Sequence, residues 1–294
     1  MTDTSDRTCN RRFRDILQRR EAILLPGVAN ALAARVIEDI GFKAIYVSGA
    51  GVTNTYLGVP DIGLISVTEL ADNVAAIRDA VALPLIVDAD TGFGNAINVG
   101  RTVRTLERAG ANAIQLEDQD FPKRCGHFSG KHVIPRSEMV QKIRAAADAR
   151  HDRDLAIMAR TDAIAVHGFE DAIERAQAYI EAGADITFVE APRTEEQMRE
   201  IPKRLKVPQL VNIVAGGLTP MIAFDTLAGM GFTLILYANA ALQASVAGMQ
   251  KVLGHLHANG SLEGVMPQLA GFEERQRLVS KPLYDALEKK YSSD

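Results

Sequence analysis

Cysteine is scarce in this chain. Cys9 and Cys125 are the only two among 294 residues, and Cys9 lies in a polar amino-terminal stretch, MTDTSDRTCNRRFR, that we expect to be frayed. Two isolated cysteines do not make the disulfide framework on which small secreted proteins depend. We therefore expect a protein of a reducing compartment, with the cytoplasm as its location.

The chain also lacks a strong excess of charge and any long apolar run. Its 33 basic and 37 acidic residues give a formal net charge of -4, which provides no general attraction for nucleic acid or acidic membranes. The beginning has no apolar signal-peptide core, and no later run reaches the length of a transmembrane helix. We predict no nucleic-acid partner and no membrane span, so an anionic ligand would have to be bound locally.

No Pro-, Ser- or Gly-rich linker interrupts the sequence, which favours one domain over residues 1–294. Short runs rich in Val, Ile and Leu alternate with longer amphipathic stretches, the pattern of repeated βα units around a parallel sheet. The runs are AILLP (22–26), AIYVS (44–48), PLIVDAD (84–90), AIQLED (113–118), LAIMAR (155–160), ITFVE (186–190), PQLVN (208–212) and TLILYA (233–238).

Eight such units in this length predict an α/β protein with a closed (β/α)8 TIM barrel at about 14–240. The alternative is an open doubly wound sheet, but its first βα turn normally carries G-x-G-x-x-G, and here that turn reads LLPGVANA. The remainder, about 241–294, is predicted to form additional carboxy-terminal helices. They would pack on a neighbouring subunit or cap the same barrel.

Polar side chains stand at the carboxyl ends of most predicted strands. In a barrel these ends meet on one face, where enzymes of this fold build their active sites. A lone polar residue at such a position is more often a helix cap or loop anchor, and this leaves a structural role open for Asp118, Asp162 and Tyr237. The residues concerned are Tyr46, Ser48, Asp88, Asp90, Glu117, Asp118, Arg160, Asp162, Glu190, Asn212 and Tyr237.

Four carboxylates at one mouth would repel each other unless a cation neutralised them. Asp88 and Asp90, two residues apart in VDADTGFG, lie on the same side of the third strand. Together with Glu117 and Glu190 they form an all-oxygen set that suits Mg²⁺, or Mn²⁺ in its place, rather than Zn²⁺. We predict a divalent-cation site.

A basic, glycine-containing segment, FPKRCGHFSGK (121–131), follows the fourth strand. Lys123, Arg124 and His127 flank Cys125, and positive neighbours favour the thiolate. A surface loop with an incidental cysteine is the alternative. Arg160 has a planar fork suited to a carboxylate, so these parts together predict an anionic substrate bound beside a metal.

Eight strings of the sequence are similar to motifs of one known family. The strings YVSGAG, GVPDIG, VDADTGFG, QLEDQ, PKRCGH, MARTDA, FVEAP and LVNIVAGGLTP resemble the isocitrate lyase and phosphoenolpyruvate mutase superfamily, from about residue 14 to 240. The resemblance implies a (β/α)8 barrel and a bound Mg²⁺. It also implies a homotetramer in which the last barrel helix is swapped between neighbouring subunits.

The resemblance assigns roles to individual residues. Asp88 would hold the Mg²⁺, supported directly or through waters by acidic residues, and Arg160 would contact the substrate oxygen on the metal. The residues that would support the metal are Asp61, Asp90, Glu117 and Glu190. The 2-oxo-acid carboxylate of the substrate would be bound by Ser48, Gly49 and Ala50. The rest of the substrate, including its distal carboxylate, would be bound by Lys123, Gly126, His127 and Asn212.

Cys125 favours a lyase, because the K-[KR]-C-G-H loop marks the lyases of this superfamily, in which the Cys donates a proton. Two departures bear on the substrate: Val214–Gly217 replaces the polar T-E-F-G of methylisocitrate lyases, and Phe128 stands where they carry Arg. Burying a third carboxylate there would be costly. The resemblance is therefore greater to the 2-alkylmalate lyase, dimethylmalate lyase and oxaloacetate hydrolase branch.

The expected reaction is cleavage of a 2-hydroxy-dicarboxylate to a 2-oxo acid and a carboxylate, with Tyr46 as candidate base, Cys125 as acid, and Arg160 and His127 stabilising charge. The alternatives are an oxaloacetate hydrolase or decarboxylase, a methylisocitrate lyase and a carbon-phosphorus mutase. A non-catalytic binding module is the alternative of another class.

Overall fold

Eight short strands form a closed parallel barrel in the computed structural model of the chain, which describes residues 4–124 and 130–292. The strands are hydrogen-bonded in chain order, and β8 pairs with β1. Each strand coincides with one of the eight apolar runs, so the predicted (β/α)8 barrel is confirmed. The strands are β1 (Ile23–Val28), β2 (Ile45–Val47), β3 (Leu85–Asp88), β4 (Ala113–Glu117), β5 (Ala156–Thr161), β6 (Ile186–Val189), β7 (Gln209–Asn212) and β8 (Leu234–Tyr237).

Helices connect the strands and extend the chain beyond the barrel. A π-helical turn at Thr53–Leu57 and a 3-10 turn at Met266–Gln268 complete the regular structure. The helices are α1 (Thr4–Arg19), α2 (Ala31–Ile40), α3 (Gly49–Val52), α4 (Val67–Ala80), α5 (Ala96–Arg108), α6 (Arg136–Ala149), α7 (Ile164–His167), α8 (Phe169–Glu181), α9 (Glu195–Arg204), α10 (Phe224–Met230), α11 (Ala240–Asn259), α12 (Phe272–Leu278) and α13 (Lys281–Tyr291).

Local sequence signals set the ends of several barrel helices. Ser66 caps α4 and Asn95 caps α5, each as part of a reciprocal capping box, which satisfies amide groups that have no partner inside the helix. Gly41 follows α2 with a φ of 96°, a left-handed conformation that only glycine adopts without strain. These stops keep the connections short and return the chain to the barrel.

Apolar side chains fill the barrel interior as far as its carboxyl-terminal end. Ile86, Met158 and Leu234 belong to one buried cluster, because alternate residues of each strand face the same side. Phe13 and Leu17 of α1 belong to this cluster too. Helix α1 therefore closes the end of the barrel opposite the predicted site.

The expectation of a frayed amino terminus is wrong for the described part of that segment. Cys9, Phe13 and Leu17 are at most 4% exposed, and the Cys9 thiol donates to the carbonyl of Ala82 at 3.3 Å. The spacing of four residues places these side chains on one face of the helix, while the polar residues between them face water. The apolar stripe is short, which is why the polar composition concealed it.

Helices α11 to α13 extend beyond the barrel. No side chain of the 20-residue α11 is buried within this chain. Arg277 of α12 donates two hydrogen bonds to Asp39 of α2, at 2.7 and 2.6 Å, and this attaches the extension to the barrel. None of the described helices has the length and apolarity required to cross a membrane.

Replacing Phe13 with Ala should lower the free energy of unfolding by about 3–5 kcal/mol, the usual cost of removing a fully buried phenylalanine. Urea denaturation would measure it. Gln18→Ala, at an exposed position of the same helix, is the matched control and should change stability little. Equal effects of the two substitutions would show that α1 does not support the barrel.

Candidate active site at the carboxyl end of the barrel

The inward-facing row of side chains changes from apolar to polar at the carboxyl ends of five consecutive strands. Ile86 is followed by Asp88, and Phe188 by Glu190, at the two-residue spacing that keeps both on the inner face. These side chains border one cavity at the mouth of the barrel. Its lining residues are Tyr46, Ser48, Ala50, Asp61, Asp88, Glu117, Lys123, Arg124, Arg160, Phe188, Glu190, Asn212, Leu236, Ala238 and Asn239.

The turn after β2 approaches the acidic residues closely. Ser48 accepts a hydrogen bond from Gly51 N at 3.2 Å, and Gly49 N donates to Asp88 Oδ2 at 3.3 Å. A Cβ on Gly49 would lie 3.0 Å from Asp90 Oδ1 and 3.2 Å from Asp88 Oδ2. Glycine at position 49 therefore lets the backbone reach the carboxylates, as expected of a ligand cradle.

A hydrogen-bond chain holds Asp88. The Tyr46 hydroxyl donates to Gln115 Oε1 at 2.8 Å, and Gln115 Nε2 donates to Asp88 Oδ1 at 2.9 Å. Burial, and then the charge of Asp88, raise the pKa of Tyr46 well above its ordinary value. In this arrangement the Tyr46 hydroxyl acts as a donor and orients Gln115, and its role as the base stays a prediction.

Lys123 neutralises two of the predicted metal ligands. Its ammonium group contacts Asp61 and lies 2.9 Å from Asp90 Oδ1. Asp90 has a φ of 47°, so its backbone turns sharply after the strand. Burial raises the pKa of Asp90 to about 7 against the attraction of Lys123, while Asp88 and Asp61 raise it further.

Arg160 occupies the centre of the site. Its Nε and Nη2 donate to the two carboxylate oxygens of Asp162 at 2.8 and 3.1 Å, in the bidentate geometry that fixes a guanidinium. Nε also lies 3.4 Å from Glu117 Oε2, and Nη2 lies 3.7 Å from Glu190 Oε2. The guanidinium carbon is 5.2 Å from the centre of the Phe188 ring, so the position of the cation is determined from several sides.

A second buried lysine supports this arginine. Lys131 Nζ lies 2.7 Å from Asp162 Oδ1, and both side chains are almost fully buried. Burial would raise the pKa of Asp162, but Arg160 and Lys131 outweigh it and lower the pKa to about 2. Asp162 is therefore an anion paired with two cations, Arg160 and Lys131.

The donor set fits one Mg²⁺ held by few protein ligands. Within 4–124 and 130–292 no three His, Cys, Asp or Glu side chains are grouped closely enough to hold a metal alone. Mg²⁺ usually binds through one or two carboxylates and several waters. Glu117 Oε1 is buried and accepts no hydrogen bond from the described residues, and burial raises the pKa of Glu117. Glu117 Oε1 is thus available to a cation, Asp88 Oδ2 accepts a long hydrogen bond from Gly49 N at 3.3 Å, and Lys123 holds Asp61 and Asp90.

Asp118 and Tyr237 face away from the cavity. Asp118 accepts hydrogen bonds from Thr161 Oγ1, from the Tyr179 hydroxyl and from Asp162 N at 2.7, 2.8 and 2.9 Å, which joins β4, β5 and α8. Tyr237 packs against an apolar cluster outside the barrel. The structural roles left open for these two residues match their surroundings.

Three predicted site residues, Cys125, Gly126 and His127, lie outside the described residues. Three contributors escaped the sequence analysis: the bridging role of Gln115, Lys131 and Asn239. For Gln115 a signal existed, because it precedes Glu117 by the two-residue period of a strand face. Asp162, for which a structural role was left open, follows Arg160 by the same period. Lys131 and Asn239 carry no such signal.

The fold and the cavity are those of a (β/α)8-barrel enzyme, and comparison with known proteins identifies its family. The phosphoenolpyruvate phosphomutase family model matches residues 13–257. A 2,3-dimethylmalate lyase of Eubacterium barkeri is 40% identical over 96% of this chain and 98% of its own length. A 2-methylisocitrate lyase of Aeropyrum pernix is 47% identical over 87% of this chain and 82% of its own.

Solved structures agree with these sequence matches. An oxaloacetate acetylhydrolase bound to 3,3-difluorooxalacetate superposes with a TM-score of 0.89 at 35% identity, covering 95% of both chains. A phosphonopyruvate hydrolase complexed with oxalate and Mg²⁺ superposes with a TM-score of 0.87 at 32% identity, over 96% of this chain and 98% of the other.

The chain belongs to the phosphoenolpyruvate mutase and isocitrate lyase superfamily. The predicted family is therefore confirmed, and so is the predicted enzyme class, a carbon-carbon lyase.

Replacing Asp162 with Asn should lower kcat/KM by about a hundredfold, because a small displacement of a positioned group costs this much and Arg160 would lose its bidentate partner. Asp39→Asn breaks a bidentate pair with Arg277 at the surface and is the matched control. Unfolding midpoints of both variants would separate misplacement from unfolding. Wild-type turnover of a folded Asp162→Asn protein would contradict the positioning role.

Proposed function

We propose that this enzyme is a Mg²⁺-dependent lyase that cleaves the C2–C3 bond of a 2-hydroxy-dicarboxylate of the 2-alkylmalate or 2,3-dimethylmalate type. The products would be a 2-oxo acid, pyruvate where C2 carries a methyl group and glyoxylate where C2 carries hydrogen, and a carboxylate. The observation that carries the proposal is the convergence of Asp88, Glu117, Arg160, Glu190 and Asn212 on one small cavity. The likeness to a 2,3-dimethylmalate lyase over the full chain supports this choice of substrate.

Asp88 and Glu117 would hold the metal, with Asp61 and Asp90 supporting it through bound waters. When bound, Mg²⁺ supplies Lewis-acid polarisation of substrate oxygens. Mn²⁺ would serve the same oxygen ligands. Gln115 keeps one Asp88 oxygen engaged and so leaves the other directed towards the cradle at Gly49.

The remaining residues would bind the two ends of the substrate. Ser48 and the backbone of Gly49 and Ala50 would receive the carboxylate beside C2. Lys123, Gly126, His127 and Asn212 would receive the distal one, and Glu190 would line the substrate site beside Arg160. Arg160 remains cationic and fixed by Asp162, so it can donate a hydrogen bond to the C2 oxygen as negative charge develops there.

The proton balance of the cleavage involves two groups. Tyr46, the candidate base, would remove the proton of the 2-hydroxyl, and the electrons of the C2–C3 bond would then move onto the departing fragment as its enolate. Cys125 would give a proton to that carbon, and His127 would stabilise the charge on the fragment's carboxylate. Tyr46 would also position Gln115 and through it Asp88.

A homotetramer with swapped helices is part of the same proposal. Helix α11 leaves a row of apolar side chains, Val246, Met249, Leu253 and Leu256, at least partly exposed on one helix, and exposed apolar patches of this kind mark protein interfaces. A neighbouring subunit would cover them. Cytoplasmic location stays a prediction.

A panel of malate derivatives tests the proposed reaction. With Mg²⁺ present, 2-alkylmalates and 2,3-dimethylmalate should release pyruvate or another 2-oxo acid, detected by coupled reduction, and chelation with EDTA should abolish the release because Asp88 and Glu117 alone cannot polarise the substrate. If no member of the panel is cleaved, the assignment to 2-alkylmalates and 2,3-dimethylmalate fails.

Oxaloacetate hydrolysis is the second candidate, favoured by the likeness to an oxaloacetate acetylhydrolase over 95% of the chain. Incubation with oxaloacetate decides between the outcomes. Oxalate plus acetate would indicate a hydrolase, and pyruvate plus carbon dioxide a decarboxylase. Turnover of 2-methylisocitrate or of phosphonopyruvate would identify the remaining members of the family.

Replacing Cys125 with Ser should reduce cleavage by two or more orders of magnitude, of the order contributed by a positioned general acid, and should leave Mg²⁺ affinity unchanged. Steady-state kinetics and calorimetric titration with Mg²⁺ would measure the two quantities. Cys9→Ser at the opposite end of the barrel is the control. Unchanged turnover in the Cys125 variant would remove this thiol from the mechanism.

A further inference from the structure

A second cavity adjoins the active site. It contains about 970 Å³ of empty space and shares Ala50, Asp61 and Asn239 with the first cavity. Beyond these residues it is lined by Asn54, Pro60, Leu242, Gln243 and the segment 214–217. The two cavities are therefore neighbours, and Asn239 lines both of them.

Asn239 has an unused hydrogen-bonding group. Its Oδ1 is buried, and no described residue donates a hydrogen bond to it. The residue immediately precedes α11, but its side chain makes no capping hydrogen bond with that helix. A buried amide oxygen is normally satisfied, so a partner from outside the described protein atoms is expected there.

Asn212, at the end of the neighbouring strand β7, has an unsatisfied amide oxygen as well. Its Oδ1 is buried without a hydrogen-bond donor among the described residues, and Asn212 lines the first cavity. Carboxylates accept hydrogen bonds and donate none. A fully ionised 2-hydroxy-dicarboxylate has one donor, its 2-hydroxyl, so it cannot satisfy both amide oxygens.

The charge of the second cavity restricts what can enter it. Among the described residues that line it, Asp61 is the only ionisable side chain, and Lys123 already pairs with this aspartate. A third carboxylate of the substrate would be placed beside an anion, with no cation among the described lining residues, which is strongly unfavourable. A group that enters must be uncharged.

We propose that the second cavity receives an uncharged substituent of the substrate that carries a hydroxyl group, and that Asn239 is the specificity-determining residue that accepts the hydrogen bond of this hydroxyl. The inference rests on the proposed function for the rest of the substrate. It narrows the substrate class to 2-hydroxy-dicarboxylates with a hydroxyalkyl substituent, and it excludes tricarboxylates.

Two ligands of equal size test the proposal: 2-(2-hydroxyethyl)malate and 2-propylmalate, each titrated calorimetrically into Mg²⁺-loaded Cys125→Ser protein, the slowly cleaving background in which every variant below is made. The hydroxylated ligand should bind about tenfold more tightly, a typical net effect of one hydrogen bond. In Asn239→Leu the preference should disappear, with Asn239→Ala as a second variant that leaves the space open. Ala215→Leu, which narrows the second cavity, should weaken both ligands.

Ala76→Leu, at an exposed position of α4 outside both cavities, is the matched control and should leave both affinities unchanged. Equal binding of the two ligands by the parent Cys125→Ser protein, a preference that survives in both Asn239 variants, or no binding of either ligand would overturn the proposal. Because these affinities are measured in a slowly cleaving variant, the result is separable from the proposed reaction, which is tested by product release from the wild-type enzyme.

Discussion

Everything at the mouth of this barrel depends on how buried carboxylates are neutralised. Asp61, Asp88, Asp90, Glu117 and Glu190 are each less than 10% exposed, and like charges in a poorly hydrated space raise the free energy of one another's ionised forms. Part of the compensation comes from the chain itself, since Lys123 lies between Asp61 and Asp90. The remaining negative charge, at Asp88 and Glu117, is the ground on which we propose a divalent cation at this site.

The same constraint explains the structure around the arginine. Arg160 would be drawn towards Glu117 and Glu190 if nothing else held it, and the substrate would then face a neutralised group. The bidentate contact with Asp162, itself paired with Lys131, keeps the guanidinium in place. Asp162, held between two cations, thus orients the guanidinium of Arg160. Because Asp162 is almost fully buried, solvent screens these ion pairs little.

Substrate selection follows from what the cavity lacks as much as from what it contains. Among the described residues that line the second cavity there are amide side chains, apolar side chains and the carboxylate of Asp61, but no cation. This agrees with the loss of polar groups in the segment 214–217, which the sequence already indicated. Affinity for a third carboxylate would need a partner that the cavity walls do not supply.

The repeated apolar runs and the polar residues after them were sufficient to predict the barrel, the face that carries the site and most of the residues on it. Such features are local, since a strand's period of two determines which side chains share a face, and barrel closure brings the carboxyl ends together. The amino-terminal helix was missed because Cys9, Phe13 and Leu17 form only a short apolar stripe among charged residues.

Only the tertiary structure decided which groups touch. The contact between Lys131 and Asp162, the unsatisfied amide of Asn239 and the second cavity all depend on distances between elements far apart in the chain. Those distances follow from how the closed barrel packs its loops and helices, and no pattern within a single segment of the sequence encodes them.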